Sequence, residues 1–146
     1  MIAFTAPDMN KIEGFQKYMQ ICDKLAAKAA EKGNAPVGSI ILNGSQIIAE
    51  AEEAGSSKQD ITCHAEIEAL RKARKKMGAD LSGCTLVSTH EPCVMCGYAI
   101  RFHKISKVVY KNSVPHFGSV SSSMDVLLTE DTPKHWSQPP QVIQLD

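Results

Sequence analysis

The sequence carries no excess of either charge: 16 lysines and arginines stand against 16 aspartates and glutamates. Chains that hold duplex or transfer RNA usually show surplus cations, because phosphate neutralisation drives their affinity. A polyanionic partner is therefore disfavoured, and transfer RNA stays open only through a local patch. No apolar run approaches the length that spans a bilayer, so no membrane association is expected. Residues 1–10 lack the basic stretch and following apolar run of an export signal. There is no internal repeat and no low-complexity linker. The cysteines number five, an odd count, and two of them form a C-x-x-C after proline. In a chain without an export signal this favours metal binding or free thiols over a disulfide framework, and a cytoplasmic location is the expectation.

What is present suits a globular domain. Hydrophobic residues make up 43% and charged residues 22% of 146 residues, enough for one domain, residues 1–146, with a core of its own. Ile12, Phe15, Met19, Cys22, Ala26 and Ala29 recur at helical steps and predict a helix over residues 11–32. Residues 36–42 predict a strand, and Asn43-Gly44 turns it into a second strand over residues 46–51. Gly55-Ser56-Ser57 reads as loop. Further helices are predicted over residues 64–77 and 93–103, and a short one over 124–128. Strands are predicted over residues 85–88 and 107–110, with an edge strand over 141–145. Strands alternating with helices indicate an α/β domain with helices packed on a central sheet.

The chemistry concentrates in His64-Ala65-Glu66 and, further on, Glu91-Pro92-Cys93-Val94-Met95-Cys96. One imidazole and two thiolates suit Zn²⁺, a borderline-soft ion. Three protein ligands leave a fourth position for water, whose pKa the ion lowers; a structural site would close that position. Cys63 is the candidate fourth ligand for such a closed site, although adjacent side chains rarely reach one ion. Cys22 and Cys84 read as core. Cys93 and Cys96 open a helix, where backbone N–H groups and the dipole favour thiolates. Glu66 lies on the apolar stripe of its helix with Leu70, Ala73 and Met77, whereas Glu68 is expected outside, paired with Lys72. A carboxylate aimed inward beside a metal ligand needs a partner or a role, and general acid/base catalysis is such a role.

The H-x-E and P-C-x-x-C pair is the signature of zinc nucleobase deaminases. With Ala35-Pro36-Val37-Gly38 and residues 60–70, 89–97 and 122–127, the chain resembles the zinc-dependent cytidine/deoxycytidylate deaminase-like superfamily. Within it the resemblance is to the branch of transfer-RNA adenosine deaminases, guanine deaminases and fungal cytosine deaminase. It implies a three-layer α/β/α sandwich around a five-stranded mixed sheet, a single zinc ion, a homodimer and hydrolytic loss of a ring amino group as ammonia. It also implies that the Ala65 backbone N–H helps to hold the base. Where that branch commonly carries a base-contacting asparagine, eleven residues before the zinc histidine, this chain has Glu53. An ionised glutamate only accepts hydrogen bonds, so a base presenting N–H groups is expected, cytosine-like or guanine-like, as free base or nucleoside.

Two further departures from the transfer-RNA enzymes point the same way: Val114 stands near an expected aspartate, and no basic C-terminal helix follows. His90, a polar residue that the branch's usual pattern does not supply, is expected near the pocket mouth. His116, Phe117 and Trp136 are candidate wall residues of the substrate pocket, with flat rings suited to stacking on a base. For Phe117 and Trp136, packing of a C-terminal tail is the equal alternative; for Glu53, a solvent-facing strand position is. The run Arg71 to Lys76 reads as a solvated helix end rather than a nucleic-acid patch. Among enzymes the alternative reading is deamination of adenosine in a transfer-RNA anticodon. A zinc-binding module without turnover is the reading from a different class, and Glu66 argues against it.

Overall fold

The helical spacing after residue 11 produces α1 (Met9–Glu31), in a computed structural model that describes residues 9–146, with side chains from residue 12 onward. Residues 1–8, most of the stretch read for an export signal, lie outside the described residues. The strands are β1 (Gly38–Asn43), β2 (Gln46–Glu52), β3 (Cys84–His90), β4 (Lys107–Asn112) and β5 (Gln141–Gln144). They form one sheet in the order β2-β1-β3-β4-β5. β1 runs antiparallel to both β2 and β3, while β3, β4 and β5 are mutually parallel, so the sheet is mixed.

Strand alternation sorts the apolar residues into two cores. Ile40, Leu42, Val87 and Val109 point to one face, where Met19, Cys22 and Leu25 of α1 cover them. Ile41, Leu86 and Val108 point to the other, against Ala69, Leu70 and Ala73 of α3 (Ala65–Met77) and Ile100 of α4 (Val94–Phe102). The result is the expected three-layer α/β/α sandwich. Among the described residues no helix is long and apolar enough to cross a membrane.

Four local expectations change. Residues 55–57 are not loop but belong to a one-turn helix, α2 (Gly55–Lys58). Residues 124–128 form turns instead of a helix, because their donors are used elsewhere: Leu127 N–H bonds Ser119 O, and Met124 N–H bonds the Ser122 hydroxyl. Met77 leaves the apolar stripe and is 41% exposed at the end of α3. Glu68 pairs with Lys58 and Arg71, not with Lys72. Lys72 and Lys76 instead donate to the Glu50 and Ile48 carbonyls of β2, at 2.6 and 2.7 Å. These lysines satisfy open carbonyls of the sheet's edge strand, which blunts that edge against further strand pairing.

Candidate active site and metal centre

Two helix N-termini converge on one face of the sheet. His64 is the N-cap of α3 and Cys93 the N-cap of α4, with Cys96 in the first turn of α4. Neither cap side chain makes a capping bond to its own helix, so both are free to point at a common centre. The two Sγ atoms lie 3.7 Å apart, and each lies 3.5 Å from His64 Nδ1. A tetrahedral zinc ion, with Zn–S of about 2.3 Å and Zn–N of about 2.0–2.1 Å, spaces its ligand atoms by about 3.5–3.8 Å. The three residues therefore fit zinc in both identity and spacing. Cys63 stays apart, its Sγ 3.6 Å from an Arg71 Nη1 donor. Among the described residues no fourth His, Cys, Asp or Glu joins the cluster.

The same packing perturbs the ligands' protons. Cys93 is pulled down to about 4, first by its hydrogen bond with Cys96, against the cost of burial, and then by His64. His64 is raised to about 9, chiefly by its hydrogen bond to Cys93. Cys96 is pushed up by the Cys93 contact and by burial. Zinc would bind these donors in their deprotonated forms and so compete with the protons they share.

Glu66 reaches this centre from the first turn of α3 and is 3% exposed. Its Oε2 lies 3.6 Å from Cys96 Sγ, and its Oε1 accepts a 2.7 Å bond from the Ser88 hydroxyl on β3. Burial raises its pKa, and the Ser88 bond partly offsets that rise. A buried carboxylate whose proton affinity is raised by burial, set beside a metal centre, is placed to take up and return a proton. Ser88 is a site residue missed in the sequence. In sequence it is one of three hydroxyl residues of β3, with Thr85 and Thr89, and nothing there sets it apart.

Glu53 lies just beyond β2, half-buried, and its carboxylate turns towards α3. Oε2 accepts the Ala65 N–H at 3.2 Å, capping an otherwise orphaned donor of the helix. The two residues expected to grip a base thus grip each other. Only one Glu53 oxygen and part of the Ala65 donor remain for a ligand.

The remaining wall candidates separate. Phe117 is 62% exposed, in a loop whose backbone meets the ligands: Phe117 O accepts the Val94 N–H, and Gly118 bridges to Cys93. Glu91 anchors that loop, accepting from Val114 N, Val120 N, Ser121 N and the Ser121 hydroxyl at 2.6–2.9 Å. Burial opposes its ionisation, yet the Ser121 and backbone donors hold its pKa below the usual range. A side chain at Gly118 would collide with Glu91 Oε2, which is why glycine stands there. Gly97 similarly admits Ser119 and Val126 against α4.

His90 accompanies Thr89, 2.9 Å from its hydroxyl, and its charged neighbours are Lys111 and Asp23. Trp136 packs edge-on against Tyr98, ring centroids 5.1 Å apart, and over the Arg101 guanidinium at 5.6 Å. For Trp136 the tail-packing alternative is the arrangement seen.

Residues 13–112 match the family model of the cytidine and deoxycytidylate deaminase zinc-binding region. A tRNA-specific adenosine deaminase of Aquifex aeolicus (strain VF5) is 35% identical over 115 residues, covering 78% of this chain and 76% of that protein. A solved structure from work on A-to-I editing by tRNA:A34 deaminases superposes with a TM-score of 0.78 at 28% identity, over 88% of this chain and 97% of that one. The guanine deaminase of Bacillus subtilis superposes with a TM-score of 0.65 at 26% identity, over 90% of this chain and 85% of the other.

Proposed function

The chain belongs to the cytidine and deoxycytidylate deaminase zinc-binding family, and from that premise we propose that it hydrolyses the exocyclic amine of a purine, with adenosine in transfer RNA as its first substrate. The observation that carries the reaction is the buried Glu66 carboxylate set against a three-donor zinc centre. Zinc, when bound, lowers the pKa of the water it holds and makes a nucleophile available near neutrality. Glu66 is placed to move both protons. It would take one from the attacking water and give it to the ring nitrogen beside the carbon under attack. It would then take the second from the hydroxyl now on that carbon and give it to the leaving amine, so that base–NH₂ and water become base=O and ammonia.

The RNA substrate is supported by the relatives, which outweigh the neutral net charge and Val114 that disfavoured it in the sequence. Phe117, exposed at the mouth, is the ring we assign to contact with the base or its neighbours. We further propose a cytoplasmic homodimer of one domain per chain, with exposed Tyr98 and Phe102 of α4 in the contact. The test is release of ammonia, screened over adenosine-bearing transfer RNA, free bases and nucleosides. Expected is deamination of the RNA that falls steeply, by tenfold or more, between about 50 and 200 mM salt, as phosphate contacts require.

Glu53 favours a second reading. Apart from its reacting amine, the adenine of a nucleoside presents only acceptors along its edges, whereas guanine, apart from its own reacting amine, still presents N1–H to an acceptor-only carboxylate. Under this reading free guanine is deaminated with little salt dependence. Glu53→Asn would then weaken it by an amount corresponding to about 1–3 kcal/mol, the usual cost of an unpaired buried group. Salt-independent turnover of guanine with none on RNA would overturn the first reading and establish the second.

Ser88 we assign as the positioning residue of Glu66. Ser88→Ala is expected to keep zinc and KM while lowering kcat by about tenfold, the equivalent of roughly 1.4 kcal/mol. Ser88→Thr, which restores the hydroxyl, is expected to recover most of the rate. An unchanged kcat in the alanine variant would remove Ser88 from the mechanism.

A further inference from the structure

Away from the zinc centre, α4 presents its C-terminal half to a second site. Arg101 is 1% exposed, yet among the described residues no carboxylate lies within ion-pair distance of it. Its partners are carbonyls: Nη1 bonds Val126 O and Thr129 O at 2.8 Å each, and Nη2 bonds Ser137 O at 3.3 Å. Those three bonds account for both Nη1 hydrogens and one of the two on Nη2. The Nε–H is itself buried and has no acceptor among the described residues. Nε and Nη2 together form the side edge of the guanidinium, whose spacing matches two oxygens of one oxyanion.

A cavity of about 320 Å³ opens against Arg101, lined also by Glu130, Thr132, Lys134, Trp136 and Ser137. That volume exceeds the needs of a phosphate group. Burial disfavours the cationic form of Arg101, and carbonyl dipoles supply hydrogen bonds but no countercharge. A buried guanidinium is costly unless it is paired. Lys134 brings a second cation to the same cavity, while Glu130 brings the one opposing charge.

We propose that this cavity is a phosphate-binding site, in which an oxyanion bonds the free edge of Arg101 and is held from outside by Lys134, with Trp136 closing the cation's open face. The phosphate comes either from a free nucleotide or from an RNA backbone. The site's existence does not depend on which base the zinc centre deaminates, or on whether it turns over at all.

Trp136 is the only tryptophan in the chain, so intrinsic fluorescence reads this cavity directly and without catalysis. Inorganic phosphate titrated into the zinc-loaded protein is expected to give a saturable change that chloride at equal ionic strength does not reproduce. Glu130→Gln is expected to tighten phosphate binding about threefold, and Lys134→Ala to loosen it about threefold, as charges near a bound anion do. Arg101→Lys, which keeps the charge but loses the fork, should weaken binding by about tenfold. Arg101 also tethers the chain around residues 126–137, so that variant counts only if its circular dichroism and zinc content match the wild type. Glu130→Gln and Lys134→Ala alter exposed residues and decide the matter otherwise. Competition by a nucleoside monophosphate assigns the free source, and competition by a short single-stranded RNA alone assigns the backbone. A fluorescence response no different from that to chloride, or one indifferent to Glu130→Gln and Lys134→Ala alike, overturns the proposal.

Discussion

Glu66→Gln is expected to lower turnover by about 10²–10⁴-fold, the usual contribution of a general acid/base, while zinc content and fold stay as in the wild type. Glutamine is nearly isosteric, and its amide oxygen can still accept the 2.7 Å bond that Ser88 donates. What disappears is only the capacity to take a proton and hand it on. Glu66→Ala should match the loss of rate, but leaves the Ser88 hydroxyl buried without its acceptor and so costs stability as well. The pair separates chemistry from packing: equal rates with unequal melting temperatures point to proton transfer. Two outcomes would sink the assignment. Loss of zinc in the glutamine variant would make Glu66 a ligand, and turnover near the wild-type level would place the acid/base elsewhere. Glu66 is 3% exposed with no cationic side chain paired to it among the described residues. A purely structural role would be an expensive use of such a carboxylate.

The zinc centre was legible in the sequence because ligand chemistry resides in residue identity. Imidazole and thiolates can be counted without knowing the fold, and Pro92 marks the start of the helix that presents the thiolates. The layers were legible for a similar reason, since the three- and four-residue steps of α1 and the alternation of β1 survive into the structure. What was lost depends on partners distant in sequence. Ser88 is unremarkable until β3 lies beneath α3. Glu53 reads equally as a strand residue facing water until the N-terminus of α3 arrives 3.2 Å from its carboxylate. Trp136 reads as a base-stacking ring until the fold packs it against Tyr98 and Arg101. The turns at residues 124–128 escaped because helical propensity is weak where Ser119 and Ser122 offer competing bonds.

Cys93→Ser and Cys96→Ser are each expected to release zinc and to lower the melting temperature, because the metal binds the folded chain and not the unfolded one. At zinc a thousandfold above its Kd that linkage is worth about 4 kcal/mol. At roughly 2–4 °C per kcal/mol for a chain near this size, the shift is about 10 °C. A chelator added to the wild type should reproduce it, and added to either serine variant should do nothing more. The other cysteines supply the control. Cys22 is fully buried on the sheet-facing side of α1, where its Sγ donates to Val87 O at 3.4 Å and burial pushes its pKa up to about 12. Cys84 is likewise buried, and burial raises its pKa. Both remain protonated, and alanine in either place is expected to lose some stability through packing while keeping its zinc and its response to chelator. Cys63→Ala is the decisive case. Its sulfur faces Arg71 and not the metal donors, so zinc should persist and turnover should survive. An empty site in that variant would make the centre a closed four-ligand one, and the catalytic reading of His64, Cys93 and Cys96 would fall with it.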